Sequence, residues 1–500
     1  MGTGRGGLCR ASRPHQHGRA RRIPQAASRI QAAEADLSRP RAAQELQRQD
    51  PEDGAQPSHR AGRGEGRAVI AELAHHAGTI RFEKLSVAAR ERLLLCLLAN
   101  LSVGVAGAKH VVVPEPAMSE GAYRLLSGRS AANARAAAFW NGAAMHARTQ
   151  DDFHPVGNLH IGTVVIPALM AVADEAEMSG GDFLAALAAG YSVAVGLSRR
   201  FSPVTTPRGL RSTCLYAPFG AAVAVGVARS SPAQQLASAI ALTTAVNAGT
   251  TQTWVDGSDE WQVHTALGAQ NALLVNDLAA AGVRGAAHAL DGPAGFYRAV
   301  VGQEVSFAEI AGDLDPSAAI EENVIKRYPV SGICQAVVLA AERAARQIDS
   351  ANSVSRLRIE MNPFEMRYPG TLNRGPFHSF SDKLMSAAFC AASVVAHSGF
   401  RFEDFHSGAH AVRDRLTALA QVEESSLPLL SARVTIETAG GARIVGEVEN
   451  SRDEVAIDWT SVDDWAAALW TEAGRTEREY AACRDAVRDL PESRCARLPV

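Results

Sequence analysis

Two carboxylates and two imidazoles lie close together in one short stretch of this chain. Asp151 and Asp152 form an acidic pair, and His154 and His160 follow them. Histidine titrates near neutral pH and paired carboxylates shift each other's pKa, so this set is suited to proton transfer. A metal site is a second interpretation, although the spacing matches no standard ligand motif. A third is structural, with aspartates that cap the following helix and solvated histidines.

Two cations further along the chain are candidates for binding an anionic substrate. Lys326 lies at the predicted junction of two domains, and ligands commonly bind in such clefts. A lysine there neutralises a carboxylate or, when desolvated, acts as a base. Arg211 lies in a polar segment between predicted helices and is suited to a bidentate carboxylate clamp. Solvated surface charges are the competing interpretation of both residues.

Composition and charge indicate an enzyme that acts on small molecules. The 500 residues exceed what one core commonly supports, so we expect more than one domain. A hydrophobic share of 47% with 6% aromatics suits closely packed helices. The net charge of −3 offers no field that would attract nucleic acid. Seven cysteines without paired spacing favour a reducing, cytoplasmic location, and the longest apolar run is too short for a membrane span.

Helical periodicity dominates the first two thirds of the chain. Apolar residues recur every three or four positions from 183 to 194, after Ser179 as a candidate N-cap. A further helix is predicted from near His264 to Leu278, and a long one should follow His160. These segments predict a large all-helical domain over residues 67–328.

Strand periodicity appears in the last third. Apolar and charged residues alternate over residues 357–361, and a hairpin is predicted around Gly440 and Gly441. We therefore expect a smaller α+β lid domain over residues 329–457. Residues 458–490 return to a helical period and are predicted to rejoin the helical domain. The predicted fold class is mainly α with α+β.

Residues 1–66 differ from the rest of the chain. They are rich in Arg, Gln, Pro and Gly and show no apolar period, which predicts a disordered leader. They lack the hydrophobic core of a secretory signal. A transit peptide and an over-long start site are the alternative interpretations, and we expect a chain that begins at Arg67 to fold.

Several short motifs follow one another along the chain. They are Asn141–His146, Asp151–Asp152, His160–Pro167, Gly190–Tyr191, Phe219–Ala222, Gly292–Phe296 and Lys326–Pro329. Because MmgE/PrpD proteins carry such motifs in the same order, the chain resembles this family over residues 67–480. The family includes 2-methylcitrate dehydratases, cis-aconitate decarboxylases and iminodisuccinate epimerases. The resemblance implies proton transfer on a small polycarboxylate without cofactor or metal, in a cleft between a helical domain and a lid, in a homodimer.

The resemblance also assigns roles to single positions. His160 and Lys326 stand where the family has a histidine and a lysine of its site, and His264 is carried over as a substrate-binding position. Four positions depart from the decarboxylase pattern, where the family has an aspartate, a histidine, a lysine and a lid tyrosine. They are Thr149, Arg211, Trp261 and Phe389, in that order.

The departures predict a changed pocket. Trp261 and Phe389 should line an apolar side, which suits a substrate with an alkyl or aromatic portion. Arg211 replaces a titrating group with a permanent cation. Cis-aconitate decarboxylation is therefore not expected.

The hypothesis drawn from the sequence is a lyase of the dehydratase kind, acting on a small carboxylic or polycarboxylic acid. His160 or Lys326 would remove the proton next to a carboxylate, and Arg211 would anchor that carboxylate. Asp151 or Asp152 would orient the histidine. An isomerase or epimerase that uses the same abstraction is one alternative, and a catalytically inert binding or accessory protein with this fold is another.

Overall fold

The computed structural model describes residues 68–116, 118–455 and 457–500. Most of them are helical, and a smaller part combines helices with a short sheet, so the predicted fold class is confirmed. The predicted leader, residues 1–66, lies outside the described residues.

Long helices form the helical region. Ser179 caps one of them by accepting a hydrogen bond from the Asp182 backbone, as predicted. The helix predicted from near His264 begins earlier, at Glu260, because its first turn already buries Trp261 and Gln262. The longer helices are Val69–Thr79, Val87–Gly107, Ala134–His146, Gly162–Glu175, Gly180–Ser198, Ser212–Ala228, Ala233–Thr243 and Glu260–Ala280; shorter ones are Ser202–Thr205, Gln252–Asp256, Phe296–Val300, Phe307–Ala311 and Pro316–Glu321.

Small residues let these helices approach closely. The helices Gly180–Ser198 and Ser212–Ala228 cross at Gly190 and Gly220, where a Cβ on Gly220 would lie 2.3 Å from the Gly190 carbonyl oxygen. Two helical segments, Val87–His110 and Gly180–Ser198, are long and apolar enough to cross a membrane. Their apolar windows are 83% and 89% buried, which is the burial of core helices in a folded protein.

A four-stranded sheet marks the α+β region, by which we mean residues 329–457. Its strands are β3 (Val354–Met361), β4 (Ala420–Glu424), β5 (Ala432–Thr438) and β6 (Arg443–Val448), in the order β4-β3-β5-β6. Only β3 and β4 pair in parallel; β5 and β6 form the predicted hairpin. A separate ribbon joins β1 (Met118–Arg124) to β2 (Ser130–Ala131). The helices of this region are Gln335–Ala345, Pro363–Met366, Phe380–Leu384, Ala387–His397, Ala411–Leu419 and Ser451–Glu454.

The last helices, Trp459–Glu472 and Glu477–Arg488, pack against the helix Val87–Gly107. The indole N–H of Trp470 donates to Ser102 Oγ at 3.1 Å. Buried apolar side chains form one large cluster among the helices and a second around the sheet. The domain boundaries drawn from the sequence stay a prediction.

Candidate functional site

Two short backbone bridges shape the loop between the helices Ala134–His146 and Gly162–Glu175. Phe153 and Val324 exchange both backbone hydrogen bonds, each at 2.9 Å. In an antiparallel pair, the residue two positions before one partner lies opposite the residue two positions after the other. The bridge therefore brings Asp151 close to Lys326. A second bridge, between His154 and Leu159, folds the chain back.

Asp151 is the centre of the site. Its Oδ1 lies 3.0 Å from His146 Nδ1 and 3.3 Å from Lys326 Nζ, and its Oδ2 lies 2.5 Å from His160 Nδ1. Asp151, His146 and Lys326 are buried, whereas 21% of the His160 side chain is exposed. Only the histidine at position 160 therefore offers a ring edge to the space outside the cluster.

The charges of this cluster follow from burial and pairing. Burial alone would raise the pKa of Asp151, but Lys326 and the two histidines hold it well below its usual value. Burial lowers the pKa of Lys326 against the pull of Asp151. It also lowers the pKa of His160 to about 4 and that of His146 to about 3. At neutral pH the site thus contains an ionised carboxylate and neutral imidazoles.

The network also determines the tautomer of each imidazole. An ionised carboxylate only accepts hydrogen bonds, so both Nδ1 atoms that contact Asp151 carry the hydrogen. His146 Nε2 then accepts from Arg211 Nη2 at 2.7 Å. His160 is left with a lone pair on Nε2, which is the form that a general base requires.

Arg211 extends the cluster on the side of His146. It precedes the helix Ser212–Ala228, and its Nη1 donates to the Trp261 carbonyl at 2.8 Å and to His264 Nδ1 at 3.2 Å. These bonds hold the guanidinium in one orientation. Burial and the charge of Arg211 lower the pKa of His264 to about 3, so this histidine is neutral and serves as an acceptor.

Asp152 has a different role from the one that we expected. Its Oδ2 accepts from Tyr191 and from Asn323, each at 2.6 Å, and its Oδ1 accepts from Asn100 at 2.9 Å and from the Gly162 backbone at 3.1 Å. Burial raises its pKa to about 6. The hydrogen bonds of Asp152 thus join helices and loops, and Asp151 is the aspartate of the pair that contacts His160.

Trp261 and Phe389, which were expected to form an apolar side of the pocket, are not among the residues that line the cleft that His160 faces. Trp261 is fully buried behind the cluster, with its ring edge-on to His146 at 5.1 Å and stacked with Phe380 at 5.7 Å. Phe389 belongs to the core of the α+β region and contacts Phe377 and Phe405.

Thr149 lies in the turn before Asp151 and is also buried. Its φ of 56° places it in the left-handed region, and its hydroxyl has no partner among the described residues. The structure does not bring its side chain to the cleft.

The open edge of His160 faces a narrow cleft between the helical and α+β regions, with a free volume of about 40 Å³. Sequence reasoning missed most of its lining. Tyr368 is the residue among them with an acidic hydrogen on its side chain, and only the turn signal Pro369-Gly370 marked its loop. Burial raises the pKa of its hydroxyl, against the charge of Arg211. The cleft is lined by Phe153, Asn158, His160, Arg211, Thr213, Trp254, Ser331, Gly332, Ile333, Tyr368 and Met385.

A metal ion has one candidate set of ligands among the described residues. Ligand atoms of His146, Asp151 and His160 lie within 4.8 Å of one another. Both oxygens of the carboxylate already bond to the histidines, however, and the Lys326 and Arg211 cations lie against the same groups. A further positive charge would be repelled at these distances, so the set favours proton chemistry.

The fold and the site define a helical protein with an acid–base centre at the edge of an α+β region. The model of the MmgE/PrpD N-terminal domain matches residues 71–308. Residues 71–308 therefore belong to the MmgE/PrpD family, whose members are generally dehydratase-like enzymes. No significant match to a curated protein is found. The match includes Asp151, His160 and Arg211, whereas Lys326 and Tyr368 lie beyond it.

Proposed function

We propose that this protein is a cofactor-independent lyase that removes a proton next to a carboxylate on a small carboxylic or polycarboxylic acid. The observation that carries the proposal is the neutral His160, held through Nδ1 by the buried, ionised Asp151. This arrangement directs one basic nitrogen at the cleft. A carboxylate that orients an imidazole in this way stabilises the imidazolium formed when the base takes a proton.

Lys326 supports the base in this proposal and does not act as one. Its side chain is fully buried, and its ammonium group lies 3.3 Å from Asp151. A buried cation at that distance keeps the carboxylate ionised even without solvent. Of the two bases expected from the sequence, the geometry therefore favours His160.

In this proposal, Arg211 and Tyr368 act on the two substrate groups whose charge changes, the carboxylate and the leaving hydroxide. As the C–H bond breaks, negative charge builds on the substrate carboxylate, which the Arg211 guanidinium would stabilise. The proton goes to His160 Nε2 and the electron pair forms the double bond. The C–O bond breaks at the β-carbon, and the leaving hydroxide takes the Tyr368 proton and departs as water. Burial raises the pKa of Tyr368, so the hydroxyl remains protonated until it is needed.

The narrow cleft implies movement of the α+β region. Pockets that enclose small ligands commonly measure about 300–1,000 Å³, against about 40 Å³ for this cleft. Ser331, Tyr368 and Met385 are among the residues that the α+β region contributes to the wall of the cleft. We propose that this wall moves outward to admit substrate and then closes, which would exclude water during proton transfer.

The test is turnover of a panel of hydroxy-polycarboxylic acids, followed by the ultraviolet absorbance of the new double bond. His160→Gln should reduce turnover by about 10²–10⁴-fold, the usual contribution of a positioned base. His378→Gln is the control, because this exposed histidine lies outside the cleft. Equal turnover in both variants would remove the assignment. Inversion at the acidic carbon without a new double bond would favour the isomerase alternative. The homodimer and the cytoplasmic location remain predictions.

A further inference from the structure

A second cavity lies entirely within the α+β region. Its volume is about 410 Å³, well above that of the cleft at His160 and within the common range of ligand pockets of about 300–1,000 Å³. The two spaces share no lining residue. The side chains that matter for the argument are Arg374, Phe377, Lys383, Phe389, Arg413 and Asp414.

Positive charge dominates the lining of this cavity. Arg374, Lys383 and Arg413 face it, against the single carboxylate of Asp414. Arg413 is only 3% exposed, so solvent screens its charge weakly. Burial lowers the pKa of Lys383, and the charge of Arg413 lowers it further. An anion in the cavity would offset this excess of positive charge.

The three cations differ in how their donors are used. Arg413 is held by Ser407 Oγ at 2.6 Å, by the Gly408 carbonyl at 2.7 Å and by Asp414. Lys383 Nζ donates to the Phe405 carbonyl at 2.5 Å. An ammonium group has three N–H donors and a guanidinium has five, so Lys383 and Arg374 have donors to offer a ligand.

Aromatic rings give the cavity an apolar side. Phe377 is half-buried at its wall and contacts the ring of Phe389 edge-on at 5.3 Å. The guanidinium of Arg413 and the ammonium of Lys383 lie 5.1 and 5.8 Å from the centre of the Phe389 ring. Phe389 therefore orders the cations, while Phe377 remains open to an apolar part of a ligand.

We propose that this cavity binds a small organic anion with one carboxylate or phosphate group and an apolar or aromatic portion. The acidic group would bind Arg374 and Lys383, and the apolar portion would contact Phe377. The site is separate from the proposed base, so its occupation does not depend on the reaction assigned to His160.

Titration calorimetry with benzoate, phenyl phosphate and inorganic phosphate tests the proposal. The titrations use Arg211→Gln protein, in which the cation of the other cleft is removed. We expect saturable binding of benzoate or phenyl phosphate, and the tighter of the two identifies the acidic group. Inorganic phosphate should bind at least about tenfold more weakly than the better aromatic anion, because it cannot use Phe377.

The decisive variant adds Arg374→Gln and Lys383→Gln, which should weaken binding at least about tenfold, because hydrogen bonds to charged groups are strong. Adding Arg356→Gln and Arg367→Gln instead is the matched control, since these exposed arginines remove the same charge from the same region outside the cavity. No saturable binding of either aromatic anion, or equal affinity in the two sets of variants, would overturn the proposal. Equal binding of inorganic phosphate would also overturn it.

Discussion

Asp151 links the two kinds of group in the site, a buried cation and a base open to the cleft. Its carboxylate lies 3.3 Å from Lys326 and 2.5 Å from His160. The same negative charge therefore stabilises the lysine in the core and orients the imidazole. Removing this charge should affect both the free energy of unfolding and the reaction, and the two effects can be separated.

Asp151→Asn should destabilise the protein by about 3–5 kcal/mol, because it leaves a buried lysine without its counter-charge. Adding Lys326→Met should recover much of this loss, since the cation that needs the carboxylate is gone. Urea unfolding at pH 7 measures both variants. The ion pair would be contradicted by a double variant that is no more stable than Asp151→Asn alone.

Neighbouring residues in the same motif have opposite roles, and the sequence alone does not separate them. Asp151 to His154 run in an extended segment, where successive side chains point to opposite sides. Asp151 and Phe153 therefore lie on the side of His160 and Lys326, while Asp152 and His154 lie on the opposite side, in the core. From residue types alone, the pair of aspartates could be predicted to belong to the site. Which aspartate contacts His160 depends on the bridge to Val324, a residue far away in sequence.

At the scale of elements, two helices that cross at glycine residues position the site. The helix Gly180–Ser198 carries Tyr191, which bonds to Asp152, and the helix Ser212–Ala228 follows directly on Arg211. The two helices meet at glycines, and an added Cβ on Gly220 would also lie 2.9 Å from Ala194 Cβ. This crossing therefore sets the distance between the arginine and the aspartate loop.

Gly220→Ala should lower the melting temperature, because the backbones must separate, a change that costs about 1–3 kcal/mol. The matched control is Gly78→Ala, where an added Cβ meets nothing within 4 Å. That variant should be neutral or more stable by up to about 1 kcal/mol, since alanine favours the helix. Calorimetry of both variants checks the prediction, and a Gly220→Ala protein as stable as the control would contradict the close crossing.

Across the whole molecule, the helices and strands could be predicted from the sequence better than the surfaces that distant segments of the chain form together. The periods of the helix after Ser179 and of strand β3 are local properties, so they could be predicted without the fold. Burial depends on distant segments. Trp261 and Phe389 were expected to face the substrate, yet one packs behind His146 and the other lines a cavity in the α+β region. Tyr368 reaches the cleft from a loop that belongs to no motif.

Buried neutral histidines should make the fold sensitive to acid. Burial lowers the pKa of His146 and His264 to about 3 and that of His160 to about 4, from an ordinary 6.5. Between pH 6.5 and 4 the unfolded chain therefore binds more protons than the folded one. The free energy of unfolding therefore decreases as pH falls below 6.5. Each histidine lowers it by up to about 1.4 kcal/mol for every unit by which its pKa differs between the folded and the unfolded chain.

Urea unfolding at intervals from pH 7.5 to 4.5 measures this loss. The free energy of unfolding should decrease steadily below pH 6.5, and His264→Asn, which removes one of the buried imidazoles, should show a shallower decrease. A decrease of the same steepness in the wild-type protein and in His264→Asn would contradict a neutral, buried His264 in the folded protein.

Proton exchange with solvent tests the central claim most directly, because it reports abstraction whatever product follows. Small carboxylic and polycarboxylic acids are incubated in deuterated water with the protein, and label at the carbon next to the carboxylate is read by mass spectrometry. The wild-type protein should introduce label into at least one acid, and His160→Gln should introduce it at least about 10²-fold more slowly. Equal labelling by both proteins, or tight binding of an acid without any labelling, would contradict a base at His160.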